Sequence, residues 1–219
     1  SNPITKNLLG VYCAGVGYVE QSVARIGTGT AATVYGVGGT GFSSTSNLAS
    51  GSLVSGGSKP LTVISFVSNP TDTAQRNLFS DLTGGGLQVR TNAGGIQLVR
   101  KGTGVSITAG SVSNTENFSV TAVVTGTENR LYKNGVLLNA TTSNAIILAG
   151  SQLCIGHDGS GANAWLGSIS FTASFARVLS DAEIKSISDN PWQLFRAANS
   201  PIFVPVSGGG GSSYTLTAD

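Results

Sequence analysis

The sequence predicts an all-β protein, an antiparallel β-sandwich of the jelly-roll kind with one short helix near the C-terminus. Runs of alternating apolar and polar residues recur along the chain, separated by turn residues, as in half-buried strands. Glycine accounts for 31 of the 219 residues, and 10% of the residues are charged while 40% are hydrophobic. A chain of this length and apolar content can bury the core of a single sandwich.

The first half of the chain reads as strands joined by glycine-rich turns. One segment, 61–67, is apolar on both faces, which predicts a central strand covered on both sides. Hairpin signals at 83–86 and 92–95 predict antiparallel neighbours. The candidate strands are 8–12, 15–19, 31–36, 61–67, 77–82, 87–91 and 96–100.

The last two of these strands carry polar residues that we expect to point outward, namely Gln88, Arg90, Gln97 and Arg100. Arg90 and Arg100 fall near the two ends of one hairpin and could together line a polar, ligand-contacting face. The alternative is that both are ordinary solvated positions. That alternative is favoured, because most exposed arginines bind nothing specific.

The second half contains a strong hairpin signal. Asn134-Gly135 tolerates the positive φ angles of a type I′ turn and lies between the apolar runs 130–133 and 136–139. A two-residue loop would pair Lys133 with Val136, Tyr132 with Leu137 and Leu131 with Leu138. Other candidate strands are 118–124, 146–148 and 153–155.

A long strand over 165–175 is followed by a helix. Its odd positions, including Trp165, Ile169 and Phe171, are apolar and predict a core face, so Trp165 is expected in the core. The sequence 180–183 is a capping box, in which a serine and a glutamate satisfy the free donors of a helix start. Leu179 and Ile184 are spaced as a hydrophobic staple, and Asn190-Pro191 should end the helix.

The order of several short motifs supports this architecture. They are Tyr132-Lys133-Asn134-Gly135, Cys154-Ile155-Gly156, Trp165-Leu166-Gly167-Ser168-Ile169 and the run 177–184. The series resembles the C-terminal half of laminin-G-like, concanavalin A-like lectin domains. The ending 190–195 resembles the variant found in tailed-phage and prophage structural proteins. The resemblance implies a lectin-like sandwich and leaves the ligand open, because such folds serve many functions.

The loop between Gly156 and Trp165 is the main candidate site. It gathers His157, Asp158 and Asn163 where the resemblance implies a ligand or Ca²⁺ site. Calcium takes oxygen ligands, which Asp158, Asn163 and backbone carbonyls could supply. A single carboxylate, however, supplies little negative charge for a divalent ion. The sequence therefore predicts no metal and no cofactor, with calcium as the less favoured alternative.

Composition and cysteine usage restrict the partners. The formal net charge is +2 without a basic run, so we expect neither nucleic-acid nor membrane partners. No apolar run approaches the ~18 residues of a membrane helix. Cys13 and Cys154 are expected to be buried free thiols, although one pairing between them is open, and no Cys-x-x-Cys spacing predicts a metal.

The acids do not form a catalytic pattern. Glycosidases need two facing carboxylates, and the E-x-D-x-E strand motif of the retaining enzymes of the resembled fold is absent. Asp181 and Glu183 are two apart but lie at the predicted helix start, which is a structural position. His157 is preceded by no G-x-S-x-G elbow. We expect no enzyme, and a glycoside hydrolase is the least favoured function.

The predicted organisation is a sandwich over 1–206, a glycine/serine linker over 207–213 and a short segment over 214–219 that begins a further segment or docks as a tail. Two functions remain. The favoured one is a non-catalytic module of a phage tail or capsid appendage that binds a bacterial surface glycan. The other is a structural virion domain that packs on sister subunits or other virion proteins without binding sugar. The expected location is the phage particle or another extracellular setting.

Overall fold

In a computed structural model the chain forms two antiparallel β-sheets stacked face to face with one short α-helix, which confirms the predicted sandwich. The structure describes residues 7–13, 17–20, 33–34, 40–41, 48–52, 60–68, 73–81, 86–143, 146, 152–158, 163–195, 204–205 and 214–215. In chain order the described strands are β1 Leu8–Cys13, β2 Gly17–Glu20, β3 Thr33–Val34, β4 Thr40–Gly41, β5 Leu48–Ser52, β6 Leu61–Ser68, β7 Arg76–Asp81, β8 Leu87–Asn92, β9 Gly95–Arg100, β10 Gly104–Ser111, β11 Asn117–Val124, β12 Asn129–Lys133, β13 Val136–Thr141, β14 Gln152–Ile155, β15 Ser168–Phe175, β16 Val204–Pro205 and β17 Tyr214–Thr215.

The strands are divided between a larger sheet, sheet A, and a smaller one, sheet B. Sheet A follows the order β13-β12-β11-β6-β15-β1-β2, with β4 joined to β15 and β3 joined to β4. Sheet B follows the order β10-β9-β8-β7-β14-β5. The chain therefore crosses between the sheets several times, as a jelly roll requires.

The sandwich core lies between the sheets. It takes alternate residues from both, because successive side chains of a strand point to opposite faces. Its members include Leu61, Val63, Val120, Phe79, Leu98, Ile155 and Trp165. Trp165 is fully buried, which confirms its predicted core position.

A second apolar cluster lies on the outer face of sheet A, where the α-helix α1 (Asp181–Asp189) covers it. The helix begins at the predicted capping box, with Ser180 as N-cap and both capping hydrogen bonds present. Leu179 and Ile184 are buried on either side of this cap, as expected for a staple. The cluster also contains Ile64, Val123, Tyr132, Phe171, Phe175 and Ile187. A 3₁₀ helix, Pro191–Phe195, follows.

Strand β15 contributes to both clusters, which corrects the predicted single apolar face. The strand begins at Ser168 instead of 165, and its pairing with β6 shifts register between Ile169 and Phe171. Such a bulge breaks the period of two. Ile169 therefore joins the sandwich core while Phe171 lies in the cluster under the helix.

The hairpin between β12 and β13 forms at the predicted turn. Asn134 and Gly135 have φ angles of +52° and +75°, as a type I′ turn needs. The pairs of Lys133 with Val136 and Tyr132 with Leu137 are confirmed. The predicted pair of Leu131 with Leu138 is wrong, because a register shift pairs Leu131 with Asn139 instead.

Two strands of sheet B, β5 and β10, were not predicted. In β10 the buried side chain is Ile107 alone, and two register shifts interrupt its pairing with β9. Small residues and bulges together remove the alternation by which a strand is recognised from sequence.

Near the C-terminus, β16 pairs antiparallel with β17. The predicted linker 207–213 lies outside the described residues, as do 15–16, 31–32, 35–36, 82, 147–148, 159–162 and 216–219 of the predicted segments. Cys154 is buried and is a free thiol, so it is not bonded to Cys13. Within the described ranges no helix has the length and apolar character to cross a membrane.

Candidate functional site

The outer face of sheet B is polar, in contrast to the apolar outer face of sheet A. In β7 to β10 the side chains that alternate with core residues include Asn77, Ser80, Gln88, Arg90, Gln97 and Thr108. Directly paired residues of an antiparallel ladder share a face. The pairs Arg90 with Gln97 and Gln97 with Thr108 therefore align three polar side chains across three neighbouring strands.

These three residues form a hydrogen-bonded row, which we call the Arg90 ladder. Arg90 Nε donates to Gln97 Oε1 at 2.8 Å, and Gln97 Nε2 donates to Thr108 Oγ1 at 3.4 Å. Arg90 and Gln97 are half-buried, and Thr108 is exposed. The row therefore holds its side chains in fixed orientations and keeps them within reach of a ligand.

A second polar pair lies beside the ladder. Gln88 Nε2 donates to Asn77 Oδ1 at 3.0 Å, and both residues are buried. Buried polar groups of this kind must be hydrogen-bonded to be tolerated. This pair is therefore part of the packed structure beside the ladder and is not exposed to a ligand.

Burial lowers the pKa of Arg90 below its usual value. A guanidinium remains charged at any physiological pH despite such a shift. The ladder therefore presents a positive charge that water solvates incompletely.

Arg100 does not share this face with Arg90. It pairs with Leu87, a core residue, so its backbone position is in phase with the interior of the sandwich. Three residues separate Gln97 from Arg100, and an odd separation in a regular strand reverses the face. The predicted joint face of Arg90 and Arg100 is therefore wrong, and the ladder has one arginine.

The chain after β14 continues to hydrogen-bond with the backbone of β7, at Leu78 and again at Asn77. Gly156 has a φ angle of +83°, a conformation suited to glycine, and its N–H donates to Leu78 O at 2.7 Å. Beyond it Lys101 Nζ donates to Asp158 O at 2.6 Å and to Asp81 O at 3.2 Å. Lys101 thus ties the start of the loop to the end of β9.

His157 is 2% exposed, so it is not available at the surface as a ligand contact. Burial lowers the pKa of His157, although the nearby Asp158 opposes this shift. Burial also raises the pKa of the neighbouring Cys154 to about 11, which makes this thiol unreactive. The start of the loop is therefore packed, and the His157 side chain is not part of an open surface.

Asn163 is exposed and lies close to the ladder along the sheet. Asn77 N donates to Asn163 O at 2.8 Å, and Asn77 pairs with Arg90 on its other side. Two strand spacings therefore separate Asn163 from Arg90, which is roughly 10 Å. Of the predicted loop residues, Asn163 and Asp158 remain at least partly exposed at the border of the polar face.

The described residues contain no group of three or more His, Cys, Asp or Glu side chains placed to hold a metal ion. The backbone oxygen of Asp158 accepts a hydrogen bond from Lys101, so an ammonium group already lies beside this loop. These features give no support to the calcium alternative.

Thr108 and Lys101 could not be identified from the sequence as parts of the site. Thr108 lies in β10, which was not predicted, and Lys101 follows a strand in a turn. Gln97 was identified as outward, but its hydrogen bond to Arg90 depends on the register of β8 and β9.

Two stacked sheets, a capped helix over one outer face and a polar opposite face define a lectin-like sandwich. The chain belongs to the concanavalin A-like lectin/glucanases superfamily, because residues 39–185, well over half of it, match a laminin-G family model of that description. This confirms the family that the motifs resemble. No curated protein matches the chain.

Several solved structures share the fold. The binding domain of Paraclostridial Mosquitocidal Protein 1 aligns with a TM-score of 0.62 at 12% identity, over 86% of this chain and 53% of that one. The receptor binding domain of botulinum neurotoxin type G aligns with a TM-score of 0.63 at 14% identity, over 84% of this chain and 51% of that one. A Trypanosoma rangeli sialidase in complex with sialic acid aligns with a TM-score of 0.62 at 15% identity, over 86% of this chain and 33% of that one. The chain thus spans about half of the first two structures and a third of the sialidase, and at these identities the likeness concerns the fold alone.

Proposed function

We propose that the chain is a non-catalytic carbohydrate-binding module that holds a glycan against the outer face of sheet B. The observation that carries this proposal is the Arg90 ladder, a hydrogen-bonded row of guanidinium, amide and hydroxyl groups across three strands. Asn163 and Asp158 border the same face and are its second contact region.

The chemistry of the ladder suits a sugar. Sugar hydroxyls both donate and accept hydrogen bonds, and Gln97 and Thr108 offer both functions. Binding sites place a small number of oriented polar groups on a rigid support, and here the support is three neighbouring strands of sheet B, β8, β9 and the edge strand β10. In agreement with this, two of the similar structures are receptor-binding or binding domains and a third is in complex with sialic acid.

The described carboxylates support a non-catalytic role. Glu116, Glu128, Glu183 and Asp189 are held in ion pairs, and Asp181 accepts a hydrogen bond from Tyr132 at 2.8 Å. The outward positions of β7 to β10 around the ladder hold no carboxylate that could serve in a facing pair of the glycosidase kind. We therefore propose binding without hydrolysis.

The phage setting also belongs to this proposal. The ending 190–195 resembles that of tailed-phage structural proteins, and a bacterial surface glycan would be the ligand of such an appendage. The protein would then act in the phage particle, outside the host cell.

A structural virion role is the second candidate. Val136 is 59% exposed and Trp192 is 62% exposed, and exposed apolar residues of this size are typical of surfaces that pack against another protein. These residues lie on the hairpin and after the helix, both associated with sheet A, so this role would use the other side of the molecule.

A glycan-array screen of the purified protein, with and without calcium, tests the binding role. The informative variants are Gln97→Ala and Asn163→Ala, since neither side chain is fully buried. Asn139→Ala, an exposed polar position on β13 of sheet A, is the matched control. We expect selective binding that Gln97→Ala weakens about tenfold and Asn139→Ala leaves unchanged.

Binding that survives Gln97→Ala but is lost in Asn163→Ala would move the site to the loop. Absence of binding to any glycan by the folded protein would contradict the proposal. Light scattering would then test the structural role through self-association.

A further inference from the structure

Arg90 is the one charged side chain among the outward positions of β7 to β10, strands that the structure describes completely. Its neighbours on this face are amides, hydroxyls and valine: Asn77, Ser80, Gln88, Gln97, Val99 and Thr108. Among the outward positions of these four strands, Arg90 is therefore a fixed positive charge without a negative side chain beside it.

The hydrogen bond to Gln97 uses only one of the five N–H groups of Arg90, the one on Nε. The described residues form ion pairs such as those of Arg130 with Glu128 and of Arg177 with Glu183, and Arg90 takes part in none of those found. Within the described chain its terminal nitrogens, Nη1 and Nη2, therefore have no carboxylate.

This situation differs from that of Arg177, which is also half-buried. Arg177 binds Glu183 through both terminal nitrogens, at 2.9 Å and 2.7 Å. Removing a cation from water is costly unless an anion compensates it, and the fold supplies that anion to Arg177 but not to Arg90. A ligand can supply it instead.

We infer that the glycan bound at the Arg90 ladder is an acidic sugar whose carboxylate binds Nη1 and Nη2 of Arg90 in a bidentate manner. This inference rests on the proposed function. The planar fork of a guanidinium matches the two oxygens of a carboxylate, and the Nε bond to Gln97 fixes the direction of the fork. Gln97 and Thr108 are then placed to receive hydroxyls of the same sugar unit or of its neighbour.

The test uses pairs of oligosaccharides that differ only at the acid. Sialyllactose and oligomers of glucuronic or galacturonic acid are compared with their carboxyl-reduced twins, in which a primary alcohol replaces the carboxylate. Calorimetry with the whole chain gives the Kd for each member of a pair. A charge-assisted bidentate contact predicts that the acidic member of at least one pair binds about 10- to 100-fold more tightly.

Two variants attribute that preference to Arg90. Arg90→Gln should bind the acid and its reduced twin with similar Kd, and Arg90→Lys should keep part of the preference because it keeps the charge but loses the fork. Arg130→Gln, on sheet A, removes an arginine elsewhere and should leave the preference unchanged. Sulfated oligosaccharides form a further arm, and tighter binding of these than of every carboxylated probe would overturn the carboxylate assignment.

The failure of this inference is distinguishable from the failure of the proposed function. Equal binding of acids and reduced twins, with loss of both in Gln97→Ala, would overturn the acidic specificity and leave a neutral glycan site on this face. A preference for acids that persists in Arg90→Gln would overturn the role of Arg90. No binding of any probe by the folded chain would overturn the proposed function and this inference together.

Discussion

The outer faces of the two sheets have opposite chemistry. On sheet A the chain covers its own apolar face, since helix α1 packs over Phe171, Tyr132 and their neighbours. On sheet B most of the outward side chains of β7 to β10 are polar, hydrogen bonds link several of them, and the Arg90 ladder remains partly exposed. Covering an apolar face stabilises the fold, whereas an ordered polar face adds little stability and is suited to a ligand. The variants below should therefore affect stability on sheet A and binding on sheet B.

The largest effect on stability is expected for Phe171→Ala. Phe171 is 1% exposed and packs edge-on against Phe66, with ring centroids 5.6 Å apart. Truncating a buried phenylalanine costs about 3–5 kcal/mol of unfolding free energy, because apolar burial is lost and a cavity remains. Urea denaturation followed by tryptophan fluorescence measures this loss. A loss below about 1 kcal/mol would mean that the cluster under the helix contributes little.

A smaller effect is expected for Gly135→Ala at the tip of the β12–β13 hairpin. Gly135 has a φ angle of +75°, and an added Cβ would lie 2.7 Å from Lys185 Cδ and 2.8 Å from Lys185 Cα. We expect the unfolding free energy to fall by about 1–2 kcal/mol, because the backbone is strained and the helix is displaced.

Gly94→Ala is the matched control for this variant, since Gly94 has a φ angle of +78° and no atom within 4 Å of an added Cβ. The difference between the two variants in urea denaturation isolates the contact between hairpin and helix. Equal losses would show that backbone strain alone is responsible.

Glu183→Gln should lower the unfolding free energy by about 1 kcal/mol at neutral pH, because it weakens the capping box and removes the ion pair with Arg177. The Arg177 hydrogen bonds are the main cause that lowers the pKa of Glu183 to about 2 from an ordinary value of 4.5. A lowered folded-state pKa gives stability that is complete above pH 4.5 and is lost as the pH falls toward 2.

The difference in unfolding free energy between wild type and Glu183→Gln should therefore shrink over that interval, which urea denaturation at several pH values can follow. Asp189→Asn serves as control, because its exposed ion pair with Lys185 at the far end of the helix should contribute almost nothing. A difference that stays constant down to pH 2 would contradict the assigned role of the Glu183 carboxylate.

The smallest effect on stability is expected for Arg90→Gln, within about 0.5 kcal/mol of wild type. The ladder is partly exposed, and a guanidinium without a carboxylate in the described chain stabilises the fold little. The same denaturation experiment measures this. A loss above about 1.5 kcal/mol would indicate a structural role for Arg90 and would weaken the contrast between the two faces.

Local sequence rules predicted those parts of the fold that depend on neighbouring residues. The type I′ turn at Asn134-Gly135 and the capping box at Ser180 were both predicted correctly, because each is decided within four residues. The family resemblance was also carried by such local motifs. The predictions of strand register were wrong. The bulges near Ile169 and Leu138 depend on the neighbouring strand, and the sequence of one strand alone does not determine them.

The candidate site shows the same division. Arg90 and Gln97 were expected to face outward, and alternation alone suffices for that. The ladder also needs Thr108, in a strand whose bulges hide its period, and the exclusion of Arg100 follows from pairing with Leu87. The burial of His157 depends on tertiary packing of this loop, which includes the hydrogen bond from Lys101 to Asp158 O between residues 57 positions apart.

The bulge in β15 has a consequence for the dynamics of the whole molecule. Because Ile169 belongs to the sandwich core and Phe171 to the cluster under the helix, the strand cannot detach without opening both. Its backbone also pairs with β1 on one side and β6 on the other. The amide hydrogens of 171–175 should thus be among the slowest to exchange with solvent, and they should do so through global unfolding. Helix and sandwich then unfold as one cooperative unit, so a substitution that destabilises either cluster would also destabilise the other.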